Sequence, residues 1–203
     1  MLRATVTRTE SERREHFRMR YEVMARALRW VSPEECLEGE EKDEYDSGQA
    51  LSVLLKDGFN TIGTARLIFP GPIPLPIYRH FRLIPNEEIE SKFGRILSLA
   101  EVSRFIIPKT DRYKHHELTL LLCKTLFSIC VERGVSHVFV SIDKRFFRLL
   151  NLLGFPLSSI GSPEFYMGSE TIPGIIPIHD LLERVKGRKY PLFKYLKGME
   201  KAA

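Results

Sequence analysis

The stretch ILSLAEVSRFII, Ile96–Ile107, with Pro108 directly after it, decides how the rest of the chain is read. It is rich in aliphatic and β-branched residues and is stopped by a residue that cannot donate to a sheet, so it reads as a strand. Lys109–Lys114 is a polar turn. Glu117–Arg133 then has apolar residues nearly all round at helical spacing and closes at Gly134, the residue type suited to the left-handed position after a helix. Val135–Ile142 is a second strand. Strand, buried helix and strand make one βαβ unit, so the two strands are expected to be parallel with a right-handed crossover.

Outward toward the N-terminus, Ala50–Lys56 and Thr61–Phe69 flank Asp57-Gly58, a strong hairpin signal. Pro70, Pro72, Pro74 and Pro76 keep the next stretch extended, as a rim loop before the short aromatic segment Tyr78–Leu83. Further back, Glu12–Leu28 reads as a helix with Phe17, Tyr21, Met24 and Leu28 on one side, ending before Ser32-Pro33. Glu34–Asp46 carries eight acids against one lysine and reads as an excursion at the surface, its charges available to a neighbour. Toward the C-terminus, Lys144–Leu153 is a helix ended by Gly154, and short strands follow around Ile160–Met167 and Ile172–Ile178. The fold class expected is α/β: a mixed sheet with antiparallel N-terminal strands and one parallel pair.

A chain of 203 residues, 43% hydrophobic and 28% charged, suits one folded domain and excludes a disordered class. Apolar runs fall well short of the ~18 residues of a membrane span, and Met1–Glu15 has no apolar signal segment, so a cytoplasmic address without membrane insertion is expected. Net charge is +5, split as −2 over residues 1–101 and +7 over 102–203. Ligands of open mixed sheets favour the crevice beyond the carboxyl ends of parallel strands. Here that means two loops carrying Lys109, Arg112, Lys114, Lys144, Arg145 and Arg148, an edge suited to an anionic ligand or acidic partner. No nucleic-acid-binding pattern accompanies the cations. Cys123 and Cys130, seven apart on an apolar helix, read with Cys36 as reduced residues, and no cluster has zinc-ligand spacing, so neither metal nor cofactor is expected.

The ordered set Arg20, Trp30, Asp43-Glu-Tyr-Asp46, Gly63-Thr-Ala-Arg66-Leu, Pro70, Phe81 and Glu101-Val-Ser103-Arg104-Phe105 resembles the signature of acyl-homoserine-lactone synthases and of their relatives, the N-acyl amino acid synthases. The resemblance implies a GNAT-like acyltransferase fold and transfer of a fatty acyl group from acyl carrier protein to an amine. It implies Glu101, Ser103 and Arg104 as catalytic residues. Asp43, Asp46, Arg66 and Arg104 would form an ionic network that orders the acidic segment over the acceptor, a small-molecule amine, with Trp30 and Phe81 at its walls. Trp30 has a plain core role as its alternative, and Ser103 either lines the thioester channel or packs.

A glutamate of ordinary pKa ~4.3 is a poor direct base for an ammonium, so Glu101 is expected to orient the amine or a water relay. The run Arg112–Glu117 contains no glycine where CoA-using acetyltransferases turn around a diphosphate, which favours a carrier protein docking on the six cations. The runs Leu75-Pro-Ile77 and Phe165–Gly168 look closer to the amino acid synthases. The alternative acceptor is S-adenosylmethionine. The tail Arg184–Lys201, with seven cations and one acid, reads as a solvated helix.

Overall fold

A computed structural model describes residues 1–187 and Leu196. The chain folds into two compact units, Met1–Ile68 with Ser103–Leu126, and Phe69–Val102 with the chain from Phe127 onward. The strand that opened the sequence reading, β4 (Leu99–Ile106), contributes its first half to one unit and its second half to the other. Among the described residues the sheet has eight strands in the order β1-β2-β3-β4-β5-β8-β6, with β7 also on β8.

The first unit is built on an antiparallel meander. β1 (Leu2–Val6) pairs with β2 (Ala50–Asp57) from Leu2↔Asp57 to Val6↔Val53. β2 in turn pairs with β3 (Asn60–Ile68) through the Gly58-Phe59 turn, where Gly58 has φ +61°. The expected hairpin is present, and β1 is an edge strand too short to announce itself by alternation. α1 (Glu10–Arg20) starts at a capping box in which Thr9 accepts from the Glu12 N–H and Glu12 accepts from the Thr9 N–H. It continues as a π-helical segment, Tyr21–Ala27, whose last turn is closed by Leu28 N–H donating to Val23 O at 2.9 Å. β3 lies so close to the second half of β4 that a Cβ on Gly63 would stand 2.9 Å from Ile106 O.

In the second unit the first half of β4 runs parallel to β5 (His137–Asp143), from Leu99↔His137 to Val102↔Val140, as the βαβ reading requires. β8 (Ser169–Pro177) is antiparallel to β5 and carries β6 (Ser158–Ser159) and β7 (Glu164–Tyr166). The crossover α4 (His115–Glu132) is apolar on most sides, with Leu118, Leu120, Leu122, Leu126 and Phe127 buried. Cys123 and Cys130 are free buried thiols, and burial pushes Cys130 up to about 12.

Three helices were not expected. Pro76 opens α2 (Pro76–His80) instead of closing the proline loop, because proline suits the first turn, where its missing N–H costs nothing. α3 (Asn86–Phe93) buries only Ile89 and so lacks a periodic apolar stripe. α6 (Ile178–Lys186) takes over where β8 ends, and the rest of the basic tail lies outside the described residues. α5 (Lys144–Leu153) matches the reading, capped by Asp143 at one end and by Gly154 at φ +99° at the other.

Candidate functional site

The acidic segment lies at the surface only in part: Glu34, Glu35, Glu38 and Glu44 are exposed, as its composition suggests. Glu40, Glu41 and Tyr45 are buried, and the segment is fastened inward by arginines. Asp43 and Asp46 cap a single turn, Asp43 accepting from Tyr45 N–H at 3.1 Å and Asp46 from Asp43 N–H at 2.9 Å. Their remaining oxygen valences receive guanidinium groups. Arg66 on β3 donates to both Asp43 oxygens at 2.5 and 2.8 Å and to Asp46 at 2.9 Å. Arg20 at the end of α1 donates to both Asp46 oxygens at 2.9 and 2.8 Å, and its Nε donates to Glu41. Arg104 on β4 donates to Glu41 at 2.9 Å and to Asp43 at 3.2 Å.

Three arginines thus face three carboxylates, and charge-assisted, partly bidentate bonds offset the cost of taking them from water. Burial alone would raise the Glu41 carboxyl, but Arg104 and Arg20 outweigh it and hold it at about 2. Burial opposes ionisation of Asp43 too, and Arg66, Arg104 and Arg20 hold it well below the usual carboxylate range. Arg66 stands above its usual value because Asp43 and Asp46 overcome its desolvation.

β4 adds the other pieces. Ser103 Oγ accepts from Arg66 Nε at 3.0 Å, so this side chain braces the network. Arg104 has φ +50°, a left-handed conformation that costs a non-glycine residue roughly 1–2 kcal/mol. The kink interrupts side-chain alternation, which is why Ser103 and Arg104, expected on opposite faces, both serve the same cluster. Two residues before Ser103, Glu101 is 1% exposed and accepts from the Ile77 N–H of α2 at 3.0 Å. Its register partner on β5, Phe139, packs edge-to-face with the Tyr78 ring, the centroids 5.7 Å apart. Burial and then the Glu101 charge raise the Tyr78 phenol. Phe81 is buried against Tyr166 at 5.2 Å.

The autoinducer synthase family model matches residues 4–184. The chain belongs to the autoinducer synthase family. It is 26% identical over 167 residues to an acyl-homoserine-lactone synthase of Rhizobium radiobacter, covering 79% of this chain and 76% of that one. It is 27% identical over 168 residues to one of Agrobacterium fabrum, with the same coverage. Its fold is that of a solved CoA-dependent acyl-homoserine lactone synthase, BjaI, at 22% identity and TM-score 0.69, covering 94% of this chain and 90% of that one. It is also that of FeeM, an N-acyl amino acid synthase from uncultured soil microbes, at 20% identity and TM-score 0.62, covering 92% and 94%. The protein is accordingly an acyl-transferring enzyme on a GNAT-like frame.

In this autoinducer synthase family member the network named from the sequence, Asp43, Asp46, Arg66 and Arg104, is assembled, and Arg20 and Glu41 complete it. Glu41 was hidden in an acidic run that gave no reason to prefer one member. Trp30 is 38% exposed, so it is not a plain core aromatic. The six cations are all exposed, but they fall in two sets. Lys109, Arg112 and Lys114 follow β4, where Arg112 pairs with Asp57 at 2.5 Å. Lys144, Arg145 and Arg148 start α5, where Lys144 pairs with Glu170 at 2.9 Å. Among the described residues no group of three or more His, Cys, Asp or Glu is arranged to hold a metal, and no helix is long and apolar enough to cross a membrane.

Proposed function

We propose that the protein acylates the α-amine of S-adenosylmethionine with a fatty acyl chain carried as a thioester, and releases an acyl-homoserine lactone. One observation carries the reading. The acidic turn is locked by Arg20, Arg66 and Arg104 onto β4 directly after the buried carboxylate of Glu101. The three carboxylates are neutralised by the three arginines, so the turn serves as a rigid element and not as a charge trap, and the buried carboxylate of Glu101 is the group we assign to orient the acceptor nitrogen or pass its proton to water. Both curated relatives, named as acyl-homoserine-lactone synthases, support the same choice.

The demands on side chains are modest. An α-amine of pKa ~7.7–8.0 is neutral in roughly a tenth of molecules at pH 7, so deprotonation costs only about 1 kcal/mol. The ammonium proton passes to Glu101 or its water, the neutral nitrogen attacks the thioester carbonyl, the C–S bond breaks, and a second proton from the nitrogen goes to the departing thiolate, which leaves as the thiol. The acceptor carboxylate oxygen then displaces the sulfonium from the γ-carbon, closing the lactone and releasing methylthioadenosine. Oxyanion stabilisation, where one donor is worth ~2.7–4 kcal/mol, falls to backbone N–H groups that leave no mark in a sequence.

The donor in this reading is acyl carrier protein, whose acidic surface suits the exposed cations of either set, Lys109 and Lys114 after β4 or Arg145 and Arg148 on α5. A second acceptor, a free amino acid, is favoured by the two runs that look like amino acid synthases: the first donates Ile77 N–H to Glu101, and the second holds Tyr166 against Phe81. The test is incubation with acyl carrier protein or CoA thioesters and either S-adenosylmethionine or an amino acid pool, read by mass spectrometry. Acyl-homoserine lactone and methylthioadenosine in equal amounts are expected. An acylated amino acid selects the second acceptor, and no acylated amine with any pair overturns the reading. Reversing the four cations to glutamate should raise KM for the carrier-protein donor in a salt-dependent way and leave a CoA donor unaffected.

A further inference from the structure

His16 is fully buried on α1 and plays no part in the network as the sequence defined it. Its two ring nitrogens are both engaged: Nδ1 lies 2.5 Å from Thr64 Oγ1 and Nε2 lies 3.1 Å from Arg20 Nη1. The proton positions follow from the partners. Arginine only donates, so Nε2 is the bare acceptor and the single proton of a neutral ring sits on Nδ1. Thr64 Oγ1 accepts that proton and directs its own to Val53 O at 2.8 Å, inside the β2–β3 ladder. A rigid strand therefore fixes the tautomer of His16, and the tautomer fixes one corner of Arg20. Nη1 also donates to Asp46 and Nε donates to Glu41, while the buried Nη2 has no hydrogen-bond partner among the described residues.

The charged groups around the ring agree with a neutral state. Burial lowers its pKa well below 6.5 first, and Arg20 from its own helix, Arg66 from β3 and Arg104 from β4 lower it further, against Asp43 from the acidic turn. A protonated ring would turn a second N–H toward Arg20, replacing an acceptor with a donor.

We propose that His16, with Thr64 behind it, is a positioning residue that orients Arg20 and thereby holds the acidic turn in the shape that receives the acceptor amine. The role in catalysis rests on the function proposed above, whereas the ordering of the turn does not. In His16→Leu, KM for the acceptor should rise about tenfold or more with kcat within about twofold, the scale of one hydrogen bond to a charged group. Backbone amides of residues 41–47 should exchange with deuterium about tenfold faster or more. His16→Gln offers an amide N–H to Thr64 and a carbonyl to Arg20 and should restore both. Thr64→Val should reproduce the defect in milder form. Nitrogen NMR of the wild type should report a neutral Nδ1–H ring down to pH 5.

Unchanged exchange in His16→Leu, an Nε2–H tautomer, or a Gln variant as impaired as Leu each overturns the proposal. Should the wild-type protein acylate nothing, the functional reading falls, and the exchange and NMR results still decide the positioning role.

Discussion

Replacing Arg20 by methionine tests whether the buried charges form one neutral unit. The site holds Arg20, Arg66 and Arg104 against Glu41, Asp43 and Asp46, and Arg20 is wholly buried. Methionine approximates the length of the arginine stem and removes its charge, leaving the cluster with one surplus carboxylate. Breaking a buried pair in this way costs about 3–5 kcal/mol. Glu41 supplies a second scale: its displacement from 4.5 to about 2 corresponds to about 3 kcal/mol of favourable interaction in the ionised form. Arg20→Met should therefore destabilise by about 3–5 kcal/mol at pH 7, and Glu41→Gln by about 2–3 kcal/mol. The double variant restores neutrality and should cost at least about 1.5 kcal/mol less than the sum. Equilibrium urea unfolding of all four proteins gives the cycle. Additivity within about 0.5 kcal/mol, or an Arg20→Met cost under about 1 kcal/mol, refutes the view of a coupled buried cluster.

Glu101→Gln keeps an oxygen to accept from Ile77 N–H, so the melting temperature should hold while kcat falls by about 10²–10⁴, as for a lost acid–base group; a variant with near-normal kcat removes Glu101 from the chemistry. A Cβ at Gly161 would stand 2.4 Å from Arg82 O, so Gly161→Ala should cost about 2 kcal/mol and lower the melting temperature by about 4–8 °C by calorimetry. Because His16 is held neutral in the fold, the unfolded chain binds the extra proton below pH 6.5. Stability should then fall with pH from 6.5 downward by up to about 1.4 kcal/mol per pH unit, and His16→Gln should remove that slope. The Glu41 contribution has its own window: it is present above pH 4.5 and lost as pH falls to about 2, which acid titration of the unfolding midpoint should resolve as a second, lower limb.

The parallel pair and the hairpin were legible because both rest on short-range signals. Pro108 and Gly134 punctuate β4 and α4, and Gly58 supplies the left-handed turn between β2 and β3. α3 was not legible, since a helix that buries Ile89 alone shows no apolar period. The candidate site was half legible. Asp43, Asp46, Arg66, Ser103 and Arg104 form an ordered motif along the chain, but nothing local marks Glu41 among its acidic neighbours. His16 and Arg20 stand four apart on one helical face, a spacing that in hindsight pairs them.

The sequence by itself determined the β2–β3 hairpin, the parallel β4–β5 pair, the resemblance to autoinducer synthases and the identity of most charged partners, but not α2, whose Ile77 N–H meets Glu101. Periodicity, proline and glycine act within a few residues, so these features need no distant partner. Only the tertiary structure decided that Glu40 and Glu41 are drawn inside and Asp43 and Asp46 are pinned by arginines, while Glu34, Glu35, Glu38 and Glu44 stay exposed. A carboxylate is buried or solvated according to whether a cation reaches it, and here Arg104 comes 61 residues after Asp43 and Arg20 comes 26 before Asp46. The left-handed turn at Arg104 belongs to the same class of fact: no local preference favours it, and the ion pairs it permits with Glu41 and Asp43 offset its strain.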